Sequence, residues 1–127
     1  MEKLIIDGTN TSPQVILDAG EGVLELSGRS YPDDAVTFFE PVYQWITDYA
    51  KNPSENTVLN IKLSYFNTAS AKIILDILTE FEEMTTDVHK VLVRWHYTDD
   101  DEDMLEAGKE YSVIVDIPFE MVVYDDS

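Results

Sequence analysis

The side chains best placed to do chemistry lie in one short segment between an alternating apolar run and an apolar pattern of helical spacing. The segment has two hydroxyls, one amine and no acid, although the chain has 26 acidic and only 8 basic residues. Backbone N–H groups at a helix start attract an anion, and small side chains let a partner approach closely. We interpret the segment as a site for an anion and a docking partner: Asn67, Thr68, Ala69, Ser70, Ala71 and Lys72.

Thr68 has two interpretations on local sequence. Asn67 and Thr68 are both suited to cap the helix, because each side chain accepts a hydrogen bond from the first turn. Thr68 has no capping box, since the residue three positions later is Ala71. The functional interpretation is that Thr68 is an exposed hydroxyl which a protein kinase phosphorylates. Both interpretations stay open at this point.

The acidic segment Asp99–Glu110 is a second candidate site, as a calcium-binding loop or the centre of a small metal-dependent hydrolase. A calcium loop needs a glycine at its sixth position, and Met104 stands there. The acids also suit the first turn of a helix, whose dipole favours them. We predict no metal site and keep this segment as the alternative. The residues with calcium-loop spacing are Asp99, Asp101, Asp103 and Glu110.

The remaining residue types offer little catalytic chemistry. His89 and His96 have no serine or acid at a spacing that indicates a catalytic triad. The hairpin loop Asp18–Gly22 lacks the lysine and the helix of a phosphate-binding loop. We therefore predict no catalytic residue, no cofactor and no enzymatic activity.

The composition indicates one acidic domain spanning residues 1–127. A net charge of −18 disfavours nucleic acid and anionic lipid as partners. The chain has no cysteine, which fits a reducing cytoplasm. Its start is too short and acidic for a signal peptide, and no apolar run of about 18 residues predicts a membrane span. We expect a cytoplasmic protein, and its oligomeric state stays open.

The first half of the chain predicts strands and one helix. Residues 4–6 form an edge strand, and residues 14–17 and 23–26 form a hairpin. A helix follows Pro32 and continues to Tyr49, with a kink or break near Glu40 because Pro41 lacks an N–H.

Strands and helices alternate in the second half. Val58–Tyr65 is a strand whose buried face carries Leu59, Ile61, Leu63 and Tyr65. After the second helix, residues 89–97 form a strand, residues 104–108 a short helix that stops at Gly108, and residues 119–124 the last apolar segment. Residues 125–127 are a frayed end. This order predicts an α/β domain with a small mixed sheet and amphipathic helices packed against it.

Five motifs, in this order, resemble the SiaC family of bacterial regulatory phosphoproteins over nearly the whole chain. They are Gly28–Pro32 (GRSYP), Trp45, Tyr65–Lys72 (YFNTASAK), Arg94–Tyr97 (RWHY) and Asp101–Gly108 (DEDMLEAG).

The resemblance implies a STAS-like fold and a non-enzymatic phosphorylation switch. It implies that a partner kinase phosphorylates Thr68, that a PP2C-type phosphatase reverses this, and that the unmodified form binds and stimulates a diguanylate cyclase. The family commonly has serines where this chain has Ala69 and Ala71. Thr68 and Ser70 are therefore the only hydroxyls in the turn.

Overall fold

From Val23 onward strands and helices alternate along the chain, and strands that are consecutive in the chain are neighbours in the sheet. The computed structural model describes residues 1–125 and has six strands, adjacent in chain order, with three helices. The first three strands pair antiparallel, and each later strand pairs parallel with its predecessor, which confirms the mixed α/β sheet. The elements are β1 Leu4–Ile6, β2 Gln14–Asp18, β3 Val23–Ser30, α1 Ala35–Ala50, β4 Asn56–Phe66, α2 Thr68–Met84, β5 Lys90–Thr98, α3 Glu102–Ile114 and β6 Phe119–Tyr124.

All three helices cover one face of the sheet. The buried side chains of β2 to β5 belong to a single alternating set, typified by Leu24, Ile61 and Val93, and they form one core with the helices. The other set of side chains, including Arg94 and His96, is only partly buried. The side chains of β5 therefore alternate between the covered and the uncovered side of the sheet. We call the uncovered side the open face.

A β-bulge near the end of β4 corrects one prediction. Gly28 faces Leu63 and Arg29 faces Tyr65, so Ser64 is an extra residue on β4. An extra residue reverses the alternation of the side chains that follow it. Tyr65 therefore lies exposed rather than in the predicted buried set, and Phe66 packs against the core instead.

α1 is continuous through Pro41, so of the predicted kink or break near Glu40 the break does not occur. Asp34 caps α1 by accepting a hydrogen bond from the Thr37 N–H at 3.1 Å. Phe39 and Val42 are buried on either side of Pro41, and this packing holds the helix together across the missing N–H.

α3 is also longer than predicted. Gly108 lies inside the helix and does not end it. A Cβ at this position would lie 2.5 Å from Cδ1 of Trp95, so the glycine makes room for the indole ring. Residues 126 and 127, which belong to the predicted frayed end, lie outside the described residues.

Candidate functional site: the turn between β4 and α2

Asn67 is the N-cap of α2. Its backbone is extended, with φ −87° and ψ 177°, and its side-chain Oδ1 accepts a hydrogen bond from the Ser70 N–H at 2.9 Å. Its carbonyl accepts from the Ala71 N–H at 2.9 Å. Of the two capping residues that the sequence allowed, the structure uses Asn67.

Thr68 is the first helical residue and is exposed. Within residues 1–125 its hydroxyl forms no hydrogen bond, so the fold does not need it as a cap. The next residue, Ala69, is also exposed. The structure thus presents a free hydroxyl beside a methyl group, and such a surface is open to a modifying enzyme or a close-fitting partner.

The second hydroxyl of the turn lies inside the protein. Ser70 is fully buried, and its Oγ accepts a hydrogen bond from Ser30 Oγ at 2.8 Å. Ser30, at the end of β3, is also fully buried. The Ser70 side chain therefore cannot contact a partner directly in this conformation. It supports the predicted docking surface by fixing the position of the turn.

Two further hydrogen bonds attach the turn to neighbouring elements. The Asn67 N–H donates to the Ser30 carbonyl at 3.0 Å, which joins the turn to β3. The Tyr111 hydroxyl on α3 donates to the Ala71 carbonyl at 2.7 Å. Sequence reasoning missed both Ser30 and Tyr111, since each lies 40 residues from its partner in α2 and no local signal connects them.

The start of α2 is electrostatically suited to an anion. No acid occurs in its first turn, as the sequence predicted. Lys72 is exposed one turn after Thr68, and residues four apart lie on the same side of a helix. Helix N–H groups and one ammonium group are therefore available beside the Thr68 hydroxyl.

The two arginines of the chain have other contacts. Arg94 lies on the open face and pairs with Glu120 at 3.3 Å. The Arg29 guanidinium lies 5.3 Å from the centre of the Tyr31 ring. Tyr31 in turn contacts the exposed Tyr65 edge to face, with ring centres 5.6 Å apart. The structure therefore shows no preformed arginine clamp for a phosphate among its described residues.

The acidic segment forms a helix start rather than a calcium loop. Asp101 caps α3 by accepting from the Met104 N–H at 3.0 Å, and Glu102 and Asp103 occupy the first turn. Glu110 lies two turns further along the helix. Within residues 1–125 no three metal-binding side chains cluster closely enough to hold an ion. The alternative that used Asp99–Glu110 has no geometric support.

His96 has the environment of a structural histidine. Its Nε2 lies 3.1 Å from Oδ1 of Asn60 on the adjacent strand. Burial lowers the pKa of His96, and the charges of Arg94 and Lys62 lower it further. The group beside its Nε2 is a neutral amide, and this geometry does not favour a catalytic base.

None of the three helices in the described part of the chain is long and apolar enough to cross a membrane.

Comparison with known proteins gives one consistent result. Residues 6–124 match the SiaC family of regulatory phosphoproteins. An uncharacterized protein of Pseudomonas aeruginosa (strain UCBPP-PA14) is 31% identical over 126 residues, which cover 99% of this chain and 100% of that protein.

Solved structures give the same result. Apo-SiaC from Pseudomonas aeruginosa superposes with a TM-score of 0.87 at 31% identity, covering 96% of this chain and 99% of the other. SiaC in a crystal structure with the diguanylate cyclase SiaD, whose activator it is, gives a TM-score of 0.89 at 30% identity, covering 95% and 99% of the two chains.

Proposed function

The protein belongs to the SiaC family of regulatory phosphoproteins, and we propose that it is a non-enzymatic switch controlled by phosphorylation of Thr68. In this proposal a partner kinase adds the phosphate and a PP2C-type phosphatase removes it. The unmodified form binds and stimulates a diguanylate cyclase in the cytoplasm. The cyclase follows from the complex of the related SiaC with SiaD, and the kinase and phosphatase follow from the resemblance to the family.

The observation that carries the proposal is the contrast between the two hydroxyls of the turn. In the described part of the chain the Thr68 hydroxyl is exposed and forms no hydrogen bond, whereas Ser70 is fully buried and bonded to Ser30. A kinase must bring the hydroxyl to the γ-phosphate of ATP, in line for transfer. Thr68 meets this requirement in the folded protein, and Ser70 meets it only if the start of α2 unfolds.

The direction of the switch follows from the surface around Thr68. A phosphate adds roughly −1.5 to −2 charges at neutral pH. Ala69 is small and exposed beside it, so a partner can pack closely there only while the bulky anion is absent. Lys72 and the first N–H groups of α2 can hold the phosphate without moving the fold. Phosphorylation therefore releases the cyclase by local obstruction.

Phosphopeptide mapping tests the assignment. The chain is isolated from its own host, and Thr68→Ala is compared with Ser70→Ala as the matched control. We expect phosphate on Thr68 in wild type and in Ser70→Ala, and none in Thr68→Ala. Phosphate found only on Ser70, or on neither residue under any growth condition, would refute the proposal.

A further inference from the structure

An apolar groove runs between α1 and α2, on the surface of the helical layer away from the sheet. Phe39 lies at its base, and Val36, Tyr43 and Ile73 line its sides. Its volume is about 350 Å³, within the range of roughly 300–1,000 Å³ that small binding pockets have. Val36, on one side of the groove, is 73% exposed. The groove therefore has room for at least one bulky apolar side chain.

Helical spacing extends the α2 side of the groove toward the start of that helix. Ala69, Ile73, Asp76 and Glu80 follow each other at spacings of four, three and four, so they form one stripe along α2. This stripe is roughly 17 Å long at 1.5 Å per residue. Its lower end is closed by the Tyr43 hydroxyl, which donates to Glu80 Oε1 at 2.7 Å. A surface of this length and shape fits a helix better than a compact small molecule.

The rim of the groove is acidic. Exposed Glu40 and Asp76 stand on opposite sides of it, and among residues 1–125 no basic side chain lines it. The whole chain has a net charge of −18, so an acidic partner would be repelled. Charge complementarity therefore selects a basic segment.

We propose that the α1–α2 groove binds a basic amphipathic helix of a partner protein. Apolar side chains of that helix enter the groove beside Val36 and Ile73, and its lysines or arginines pair with Glu40 and Asp76. This inference rests on the proposed function in one respect: the helix is assigned to the partner whose binding phosphorylation of Thr68 controls.

A basic partner is compatible with release by phosphate. Asp76 lies eight residues after Thr68, which is roughly 12 Å along the helix axis. The Debye length at physiological ionic strength is about 8 Å, so the phosphate charge is largely screened at the acidic rim. The phosphate acts where the partner packs on Ala69, at the upper end of the groove.

The test uses a synthetic peptide of about 15 residues, near the length at which isolated helices become stable. Leucines are placed at helical spacing and lysines elsewhere, and a second peptide has serines in place of the leucines. Amide NMR spectra of the chain are recorded during titration with each peptide. The variant Val36→Glu is matched by Val113→Glu, since Val113 is 85% exposed on α3, away from the groove. Glu40→Lys tests the acidic rim, with Glu110→Lys as its control.

We expect the leucine peptide to shift the amides of Val36, Tyr43 and Ile73, and the serine peptide to bind far more weakly. Val36→Glu and Glu40→Lys should each weaken binding by about tenfold or more, the effect of losing one interface anchor. The two control variants should bind like wild type.

Several results would overturn the groove as a docking site. These are equal binding of both peptides, amide shifts centred on the open face, or unchanged affinity in Val36→Glu. Self-association of the chain that Val36→Glu abolishes would assign the groove to a second copy instead. None of these measurements involves Thr68 phosphorylation, so the groove and the switch can fail independently.

Discussion

At the start of α2 the cap and the exposed hydroxyl belong to neighbouring residues. Asn67 accepts the hydrogen bond of the Ser70 N–H, and Thr68 follows it with a free hydroxyl. The sequence could not separate these roles, because asparagine and threonine both cap helices well and stand side by side. Only the backbone geometry at Asn67 decides which of them is the cap.

This division predicts different stabilities for two alanine variants. Asn67→Ala removes the cap and should cost about 1 kcal/mol of the free energy of unfolding. Thr68→Ala removes no hydrogen bond and should leave the melting temperature nearly unchanged, since alanine also favours the helix. Thermal melts followed by circular dichroism compare the two. A larger loss in Thr68→Ala than in Asn67→Ala would show that the cap is assigned to the wrong residue.

The hydrogen bond between the buried hydroxyls of Ser30 and Ser70 predicts that alanine substitutions at the two positions are coupled in stability. Ser70→Ala leaves the Ser30 hydroxyl buried without its acceptor, which should cost about 1–3 kcal/mol. The double variant Ser30→Ala, Ser70→Ala should lose clearly less than the sum of the single losses, because neither hydroxyl is then stranded. Urea denaturation of the four proteins measures this coupling. Additive losses would mean that the two hydroxyls do not support each other.

The order of strands and helices was predictable from the sequence, because hydrophobic periods of two and of three to four separate them. Tyr65 and Gly108 mark where this reasoning failed. In the sequence, apolar residues alternate with polar ones up to Tyr65. In the structure, the extra residue Ser64 turns the side chains after it to the opposite face of the sheet. No local sequence pattern indicates a bulge between parallel strands. Gly108 resembled a helix stop, but its cause is the Trp95 ring on a different element. Both errors come from tertiary contacts.

Gly108→Ala tests the packing of α3 on β5. Within an exposed helix this change would stabilise by about 0.5–1 kcal/mol. Here the new methyl group would meet the buried Trp95 ring, so we expect a loss of about 1–3 kcal/mol. Tryptophan fluorescence should change as the ring moves. Gly20→Ala, in the β2–β3 turn, has room for a methyl group and serves as the control. A more stable Gly108→Ala protein would contradict the packing described for α3.

The free energy of unfolding should fall at alkaline pH because of a tyrosine in the contact between α1 and α2. The hydrogen bond to Glu80, with burial and nearby acids, raises the pKa of Tyr43 from 10.0 to about 12. Because the pKa of Tyr43 is higher in the folded than in the unfolded protein, its neutral hydroxyl contributes to the free energy of unfolding. This contribution is fully present below pH 10.0 and is lost as the pH rises toward 12. Burial raises the pKa of Tyr111 to about 12 as well, and this adds a similar loss.

We expect Tyr43→Phe to lose stability less steeply than wild type across this range. Urea denaturation at pH 8 and at intervals up to pH 12 measures the slopes. Tyr65→Phe is the matched control, since the Tyr65 hydroxyl has no hydrogen-bond partner among the described residues. Equal slopes in wild type and Tyr43→Phe would mean that the Glu80 hydrogen bond does not form in solution.

In the whole molecule, the proposed switch lies at the N-terminal end of α2, which packs between α1 and α3. The turn is attached to β3 through Ser30 and to α3 through Tyr111, so two neighbouring elements hold the start of α2 in place. The first turn of α2 has no acid to repel a phosphate on Thr68, and the two arginines of the chain already contact Glu120 and the Tyr31 ring. The domain should therefore keep its fold when modified, and the change in binding should arise at the surface.

The phosphorylated and unmodified forms of the wild-type chain should therefore differ in their affinity for the cyclase and not in their fold. The chain is prepared unmodified and stoichiometrically phosphorylated at Thr68, and calorimetry measures the affinity of each form for a purified diguanylate cyclase of the SiaD type. Amide NMR spectra of the two forms are recorded beside it. We predict that phosphate weakens cyclase binding by about tenfold or more, with amide shifts confined to residues around the β4–α2 turn. Equal or tighter binding by the phosphorylated form, or shifts throughout the sheet, would contradict the account.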